Sequence, residues 1–258
     1  MSIADGTPDA GGVAAGTEPM PPNRPFVLIH GAWHGGWCWQ RVTPLLRAAG
    51  HDVYAPSLTG LGDRAHLGSR GAGPAIDLET HVADIVQLLE MEDIADAVLV
   101  GHSYAGMVIA GAADRAGARL GRLVYLDAFV PADGQCVLDF WTEEARADIV
   151  RRAAGGGLIP PTPLPAFGVT RPEDLAWAEP RLRPHPHATW TQKLRLTRGE
   201  TRLPRAYIRC TNPARPVFEQ FARRYRGDPA WTYREIDAGH DCMIADPHGT
   251  AELLLSLA

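Results

Sequence analysis

The segment Val98-Leu99-Val100-Gly101-His102-Ser103-Tyr104-Ala105-Gly106 constrains this chain most. An apolar β-branched run stops at Gly101, a serine follows two residues later, and small residues come next at Ala105 and Gly106. The pattern predicts a strand, a sharp turn and a helix, with the Ser103 hydroxyl held out at the apex. Small residues are needed there because the turn brings strand and helix backbones close together. The strict form of the motif has glycine where Ala105 stands. A serine so placed is a nucleophile only if a base, an acid and oxyanion donors lie elsewhere in the chain.

The rest of the chain repeats the strand-then-helix rhythm. Phe26 to His30 reads as a buried strand entering a Gly/Trp-rich turn, and Trp39 to Ala49 as a helix closed by Gly50. Asp52 to Ala55 is a second strand, and a Gly-rich loop runs from Ser57 to about Ala75. Asp77 is placed to cap a helix whose Leu78, Val82, Ile85, Val86 and Leu89 share one face. Ala97 to Val100 feeds the Ser103 turn, a helix spans Tyr104 to about Ala116, and Leu123 to Leu126 is a further strand. The rhythm breaks over 131–202, a Pro- and Arg-rich stretch with helical patches such as Val137 to Val150. It returns with strand Arg205 to Arg209, helix Pro216 to Tyr225, strand Trp231 to Ile236 and a helix after Pro247. Alternation of this kind predicts an α/β fold with a mostly parallel sheet flanked by helices. The expected organisation is a tail over 1–23, a core from 24–130 and 203–258, and a helical cap inserted over 131–202. The cap then follows the strand that ends at Asp127.

Bulk properties exclude several classes. The 258 residues carry a formal charge of −5, which argues against a nucleic-acid partner. No run reaches the roughly 18 apolar residues of a membrane span. The first 23 residues lack the basic start and apolar stretch of a secretory signal and read as disordered. Four scattered cysteines, Cys38, Cys136, Cys210 and Cys242, read as free thiols. The expected setting is cytoplasmic, as a monomer or homodimer.

A serine hydroxyl needs an adjacent base. His240, in Ile236-Asp237-Ala238-Gly239-His240-Asp241, follows the last strand on a loop with a glycine for a tight turn. His30 and His102 compete, but each sits in or beside a backbone-critical turn and reads as a structural hydrogen-bonding residue. The best-placed acid is Asp127, at the end of an apolar strand, where a buried carboxylate is costly without a partner. Asp237 and Asp241 stay open as alternatives. Oxyanion donors are expected from the Tyr104 amide, after the nucleophile, and from the Ala32 amide in His30-Gly31-Ala32-Trp33. This constellation needs no metal and no organic cofactor.

Phe26 to Trp39 together with Leu99 to Gly106 resembles the α/β-hydrolases grouped with plant methylesterases and hydroxynitrile lyases. The stretches Leu58 to Arg64 and Tyr125 to Pro131 are similar to bacterial pyrethroid hydrolase-like esterases. The likeness covers about residues 25–258 and is weakest across the insertion. It implies an α/β-hydrolase fold, with Ser103 as nucleophile, His240 as base, and the Ala32 and Tyr104 amides as the oxyanion hole. The order serine then histidine agrees with that arrangement. The acid departs from it, because the plant enzymes carry an aspartate where Asn212-Pro213 stands. Haloalkane dehalogenases relocate the acid to the end of the earlier strand, which supports Asp127 by analogy. The related lyases have a threonine at the place of Gly31 and a lysine at that of Asp241, so the resemblance favours hydrolysis over cyanohydrin cleavage.

The implied reaction is acyl transfer on a small hydrophobic or aromatic ester, lactone or thioester. A cyclase or a C–C bond-cleaving enzyme on the same scaffold is the alternative reading. Trp33, Phe129, Phe140 and Trp141 are the expected pocket walls, with the Tyr104 ring as a further candidate. Cationic side chains of the insertion could meet an acidic substrate, although an arginine-rich lid more often forms a solvated face.

Overall fold

Apolar runs too short for helices and rich in Val, Ile and Leu become the central strands of a sheet. The computed structural model describes residues 23–68, 75–154, 157–199 and 201–258. All but Asn23 of the tail expected to be disordered over 1–23, and the glycines at 155–156, lie outside the described residues. The elements are β1 (Phe26–Ile29), α1 (Thr43–Ala48), β2 (Val53–Tyr54), α2 (Leu78–Met91), β3 (Ala97–His102), α3 (Ala105–Ala116) and β4 (Leu120–Leu126). Then come α4 (Glu143–Ala153), β5 (Leu158–Ile159), α5 (Pro172–Ala178), β6 (His185–Pro186) and α6 (Ala188–Thr191). The chain closes with β7 (Arg205–Cys210), α7 (Pro216–Tyr225), β8 (Trp231–Ile236), α8 (Cys242–Ala245) and α9 (Pro247–Leu255).

Six strands form one parallel sheet in the order β2-β1-β3-β4-β7-β8. Every residue of β1 and β3 is buried, as strands covered on both faces must be. The register sets Gly101 beside Tyr125 and His102 beside Leu126, so β3 and β4 end side by side. The next pairing sets Leu126 beside Ile208, which brings the end of β4 against β7. Three strand ends thus converge on one edge of the sheet, where side chains from different strands can meet.

Local chemistry explains the helix boundaries. Asp77 caps α2 by accepting the Thr80 amide at 2.9 Å, and the Thr80 hydroxyl faces back to the cap, closing a capping box. The helix buries Leu78, Val82, Ile85 and Leu89 of the expected face, with Val86 half-buried at its side, together with His81. The helix expected over Trp39 to Ala49 is instead split into a 3-10 turn (Gly36–Trp39) and α1, which opens with Pro44 in its first turn. Gly50 leaves it at φ 92°, a left-handed closure. The patch expected over Val137 to Val150 also divides. Trp141 is extended, and Thr142 caps α4 by accepting the Ala145 amide at 3.3 Å.

Between β4 and β7 the described residues form three α-helices, short 3-10 turns and an antiparallel pair, β5 with β6, that periodicity does not foreshadow. Two-residue strands are too short to show an alternation. No helix among the described residues is long and apolar enough to cross a membrane.

Candidate active site

The turn after β3 adopts a backbone that L-residues avoid. Ser103 has φ 56°, and α3 starts two residues later. That strain is held from both sides. The Ser103 amide donates to the Leu126 carbonyl at 3.2 Å, and its carbonyl accepts from Phe129 at 3.1 Å and Gly106 at 3.2 Å. A Cβ on Gly101 would come within 2.8 Å of the Ala105 carbonyl, and one on Gly106 would strike the Phe129 carbonyl. The small residues noted in the sequence are therefore steric requirements of the turn. Ala105 itself is buried at the first helical position.

The loop after β1 lies against this turn. A Cβ on Gly31 would be 2.9 Å from both the Ser103 Cβ and His102 Nδ1. Neither the Ala32 nor the Tyr104 backbone N–H makes a hydrogen bond within the described residues. Trp33 stands at φ 66° and is tied to the β4–β7 segment, its indole N–H donating to the Ile159 carbonyl at 2.9 Å. The Trp33 carbonyl accepts the Arg183 amide at 2.9 Å.

His240 is buried on its loop after β8, and its Nδ1 lies 2.7 Å from Asp127 Oδ2. Its ring lies nearly parallel to Phe218, with centroids 4.9 Å apart at 13°, and Phe167 packs at 5.4 Å. Gly239 is required by close approach, since a Cβ there would meet the Gly168 backbone at 2.5 Å. Asp127 is wholly buried at φ 41°. Its other oxygen, Oδ1, accepts from Arg209 Nη1 at 2.5 Å and from the Cys210 amide at 3.4 Å. Ser103 and His240 line one cavity of about 230 Å³. The structure thus brings Ser103, His240 and Asp127 to the same sheet edge.

The two alternative acids lie elsewhere. Asp237 is exposed. Asp241 is buried, 3.3 Å from His34 Nε2 and 3.7 Å from His102 Nε2. Burial opposes its charge, but the neighbouring His34 outweighs that and holds the carboxyl down to about 2. Burial would likewise lower His34, and the Asp241 carboxylate reverses the sign and raises it.

The competing histidines are fixed by hydrogen bonds. The Leu58 amide donates to His30 Nε2 at 3.0 Å, so Nδ1 carries the proton and donates to the Gly31 carbonyl at 2.8 Å. Burial lowers His30 to about 3, which keeps it neutral. His102 Nε2 donates to the His240 carbonyl at 2.9 Å, and burial lowers it strongly. His102, His240 and Asp241 carry ligand-type atoms within 4.8 Å of one another. His102 Nε2 is engaged by the His240 carbonyl and His240 Nδ1 by Asp127.

Of the expected pocket walls, Trp33, Phe129 and Trp141 line the cavity. Phe140 does not; it stacks on Phe129 at 5.4 Å and meets Phe221 edge-to-face at 5.3 Å. The Tyr104 ring also turns away, its hydroxyl 2.9 Å from His81 Nδ1. Sequence reasoning missed Phe167, Trp190 and Phe218 as walls. It also missed Arg209, although a charged residue inside the apolar run Ala206-Tyr207-Ile208-Arg209-Cys210 signals a buried partner. A larger hollow of about 690 Å³ lies between α3, β4 and residues 196–199 and 201–205, away from Ser103. The Asp114 carboxylate there is spent on the Thr197 and Arg198 amides, at 3.0 and 2.8 Å.

Residues 26–253 match the alpha/beta hydrolase family. The chain belongs to that family. A carbendazim hydrolyzing esterase from Nocardioides sp. (strain SG-4G) is 39% identical over 243 residues, covering 90% of this chain and 98% of its own length. The putative chloroplastic methylesterase 11 of Arabidopsis thaliana is 29% identical over 90% of this chain, which spans 63% of that longer protein. Among solved structures, an extracellular α/β-hydrolase from a Paenibacillus species superposes with a TM-score of 0.76 at 26% identity. That match covers 91% of this chain and 98% of the other. Its description records structural and functional homology to tobacco salicylic acid binding protein 2.

Proposed function

We propose that this α/β hydrolase cleaves a carboxylic ester of a small hydrophobic or aromatic molecule through a Ser103–His240–Asp127 triad. The observation that carries the reading is the 2.7 Å contact of His240 Nδ1 with the buried Asp127, in a cavity that Ser103 shares. His240 takes the proton of the Ser103 hydroxyl as Oγ attacks the ester carbonyl. Asp127 fixes the tautomer that leaves Nε2 free to accept, and offsets the charge of the imidazolium that forms. The oxyanion is held by the Ala32 and Tyr104 amides, each worth on the order of 10²–10³ in rate. The alcohol leaves with the proton from His240, and water then cleaves the acyl-enzyme by the same route.

The relatives named as esterases support ester hydrolysis in particular. The cavity, about 230 Å³ and walled by Trp33, Phe129, Trp141, Phe167, Trp190 and Phe218, supports a compact, ring-bearing substrate. It is smaller than the roughly 300–1,000 Å³ of typical ligand pockets. Trp141, Ile159, Phe167 and Trp190 come from the β4–β7 connection, which supports its reading as a cap over the site. The test is turnover of a panel of aryl and methyl esters, with lactones, thioesters and carbendazim alongside, by wild type and Ser103→Ala. The ester turnover should fall by several orders of magnitude in the variant. A variant that keeps more than about a tenth of wild-type ester turnover would contradict the mechanism.

A further inference from the structure

The Ser103 cavity has an apolar lining broken by three charged side chains: Asp148 and Arg152 from α4, and Arg215 just before α7. Asp148 is engaged by Arg151 at 2.6 Å. The two arginines facing the cavity are not neutralised in this way. Arg152 donates to the Pro160 carbonyl at 2.8 Å and Arg215 to the Ala166 carbonyl at 3.2 Å, and among the described residues neither forms an ion pair. The carboxylates whose charge reaches Arg215 are Asp127 and Asp241. Asp127 is committed to His240 and Arg209, and Asp241 faces His34 Nε2 at 3.3 Å.

Arg215 is half-buried and held in place. Its guanidinium lies over the Phe167 ring, 5.1 Å from the centroid. Its carbonyl accepts from Arg209 Nη2 at 3.0 Å, and Pro216 follows at the start of α7. Phe167 packs in turn on the His240 ring, so a fixed cation stands one ring away from the base. A guanidinium has five donors in a rigid fork, and a neutral carbonyl uses only part of them. A partly desolvated cation with open donors in an aromatic wall gains most from a carboxylate, the partner that its fork matches best.

We infer that the ester taken by this site carries a carboxylate of its own, received by Arg215 with Arg152 as the second cation. The inference rests on the Ser103 ester reading. It places the anion beside Phe167, where the Arg215 guanidinium stands, with the remainder of the substrate against the other rings. The enzyme then acts on half-esters of dicarboxylic acids, or on esters of carboxylate-bearing alcohols, in preference to neutral esters of the same shape.

The test compares mono-4-nitrophenyl glutarate with 4-nitrophenyl pentanoate, which share a leaving group and nearly share a shape. The reading is the ratio of their kcat/KM values, in wild type, Arg215→Gln, Arg215→Lys and Arg152→Gln. Wild type should favour the anionic ester at least tenfold, and salt should shrink that ratio, as for any exposed charge attraction. Arg215→Gln should bring the ratio to about one or below, Arg215→Lys should keep only part of it because the charge stays and the fork is lost, and Arg152→Gln should lower it partly. A wild-type ratio near or below one overturns the inference while leaving ester hydrolysis intact. So does a ratio that survives Arg215→Gln. Turnover of neither ester, with Ser103 unlabelled by a phosphonate, overturns the ester reading and this inference with it.

Discussion

Arg209 Nη1 lies 2.5 Å from Asp127 Oδ1, and both side chains are buried, at 2% and 0% exposure. The carboxylate is thus shared between an arginine on β7 and the histidine that follows β8. Arg209 reaches further, to the Arg215 carbonyl at 3.0 Å and to Glu219 at 3.7 Å. The proposed acid, at the end of β4, thus meets a cation from the neighbouring strand β7. Removing one member of such a pair leaves a buried charge alone and should cost about 3–5 kcal/mol. Arg209→Gln should therefore lower stability by that order, and the Asp127→Asn/Arg209→Gln double variant by much less than the sum of the singles. Urea melts of the four proteins check this; additive losses would mean that the pair is not coupled.

The three candidate acids make different demands. Asp127→Asn should reduce kcat by about 10⁴, the scale of losing the orienting acid of a triad. Asp237→Asn should stay within about threefold of wild type, since an exposed surface substitution perturbs little. Asp241→Asn should act first on stability, because it leaves His34 without its counter-charge. Steady-state kinetics on one aryl ester, corrected for the active fraction, separates the three.

Sequence reasoning reached the fold and much of the site because both rest on local rules. The Ser103 turn is written in Gly101, Ala105 and Gly106, and the α2 cap in Asp77. The central strands β1 and β3 are apolar runs bounded by polar or turn residues. What could not be read is three-dimensional. Arg209 and Asp127 are 82 positions apart in sequence and meet only because β4 and β7 pair in the sheet. Phe167 and Phe218 look like ordinary core residues until both are found on the His240 ring. Phe140 was expected in the pocket wall because composition marks it as aromatic and near, but not which way it faces. The β5–β6 pair is too short for any alternation to show.

Buried neutral histidines give the fold an acid limit. Burial lowers His30 to about 3 and His81 to about 4, from the ordinary 6.5. Burial also lowers His102 and His185 well below that value. A folded state that resists protonation binds fewer protons than the unfolded chain, so stability falls as pH drops below about 6.5. For His30 and His81 the loss should approach about 2 kcal/mol each by pH 5. The His34–Asp241 pair has the opposite sign for its histidine. The raised His34 contribution is full below 6.5 and fades above it, while that of Asp241 is lost only as pH falls from about 4 towards 2. Urea midpoints at pH 7.5, 6 and 5 should fall in that order. A midpoint that is flat or rising towards pH 5 would count against the burial of these histidines.

Gly106 is the tightest point of the turn, since a Cβ there would strike the Phe129 carbonyl. Phe129 in turn lines the cavity and donates its amide to the Ser103 carbonyl at 3.1 Å. Gly106→Ala should therefore cost about 1–3 kcal/mol or more in stability and shift the nucleophile. The kcat per folded molecule should fall at least tenfold, measured on protein whose folded fraction is fixed by circular dichroism. Gly227→Ala, at a residue with open space around it, is the control and should change neither quantity appreciably.

The central claim is that Ser103 is a nucleophile activated by His240. Its most direct measurement is mass spectrometry of the intact and digested protein after exposure to a fluorophosphonate. Wild type should gain one phosphonyl group, on the peptide containing Ser103, with ester turnover lost in step with labelling. Ser103→Ala should take up none, and His240→Ala should label at least 10³ times more slowly, as expected of a serine without its base. Labelling at another residue, or labelling of Ser103 at an unchanged rate in His240→Ala, would contradict the account.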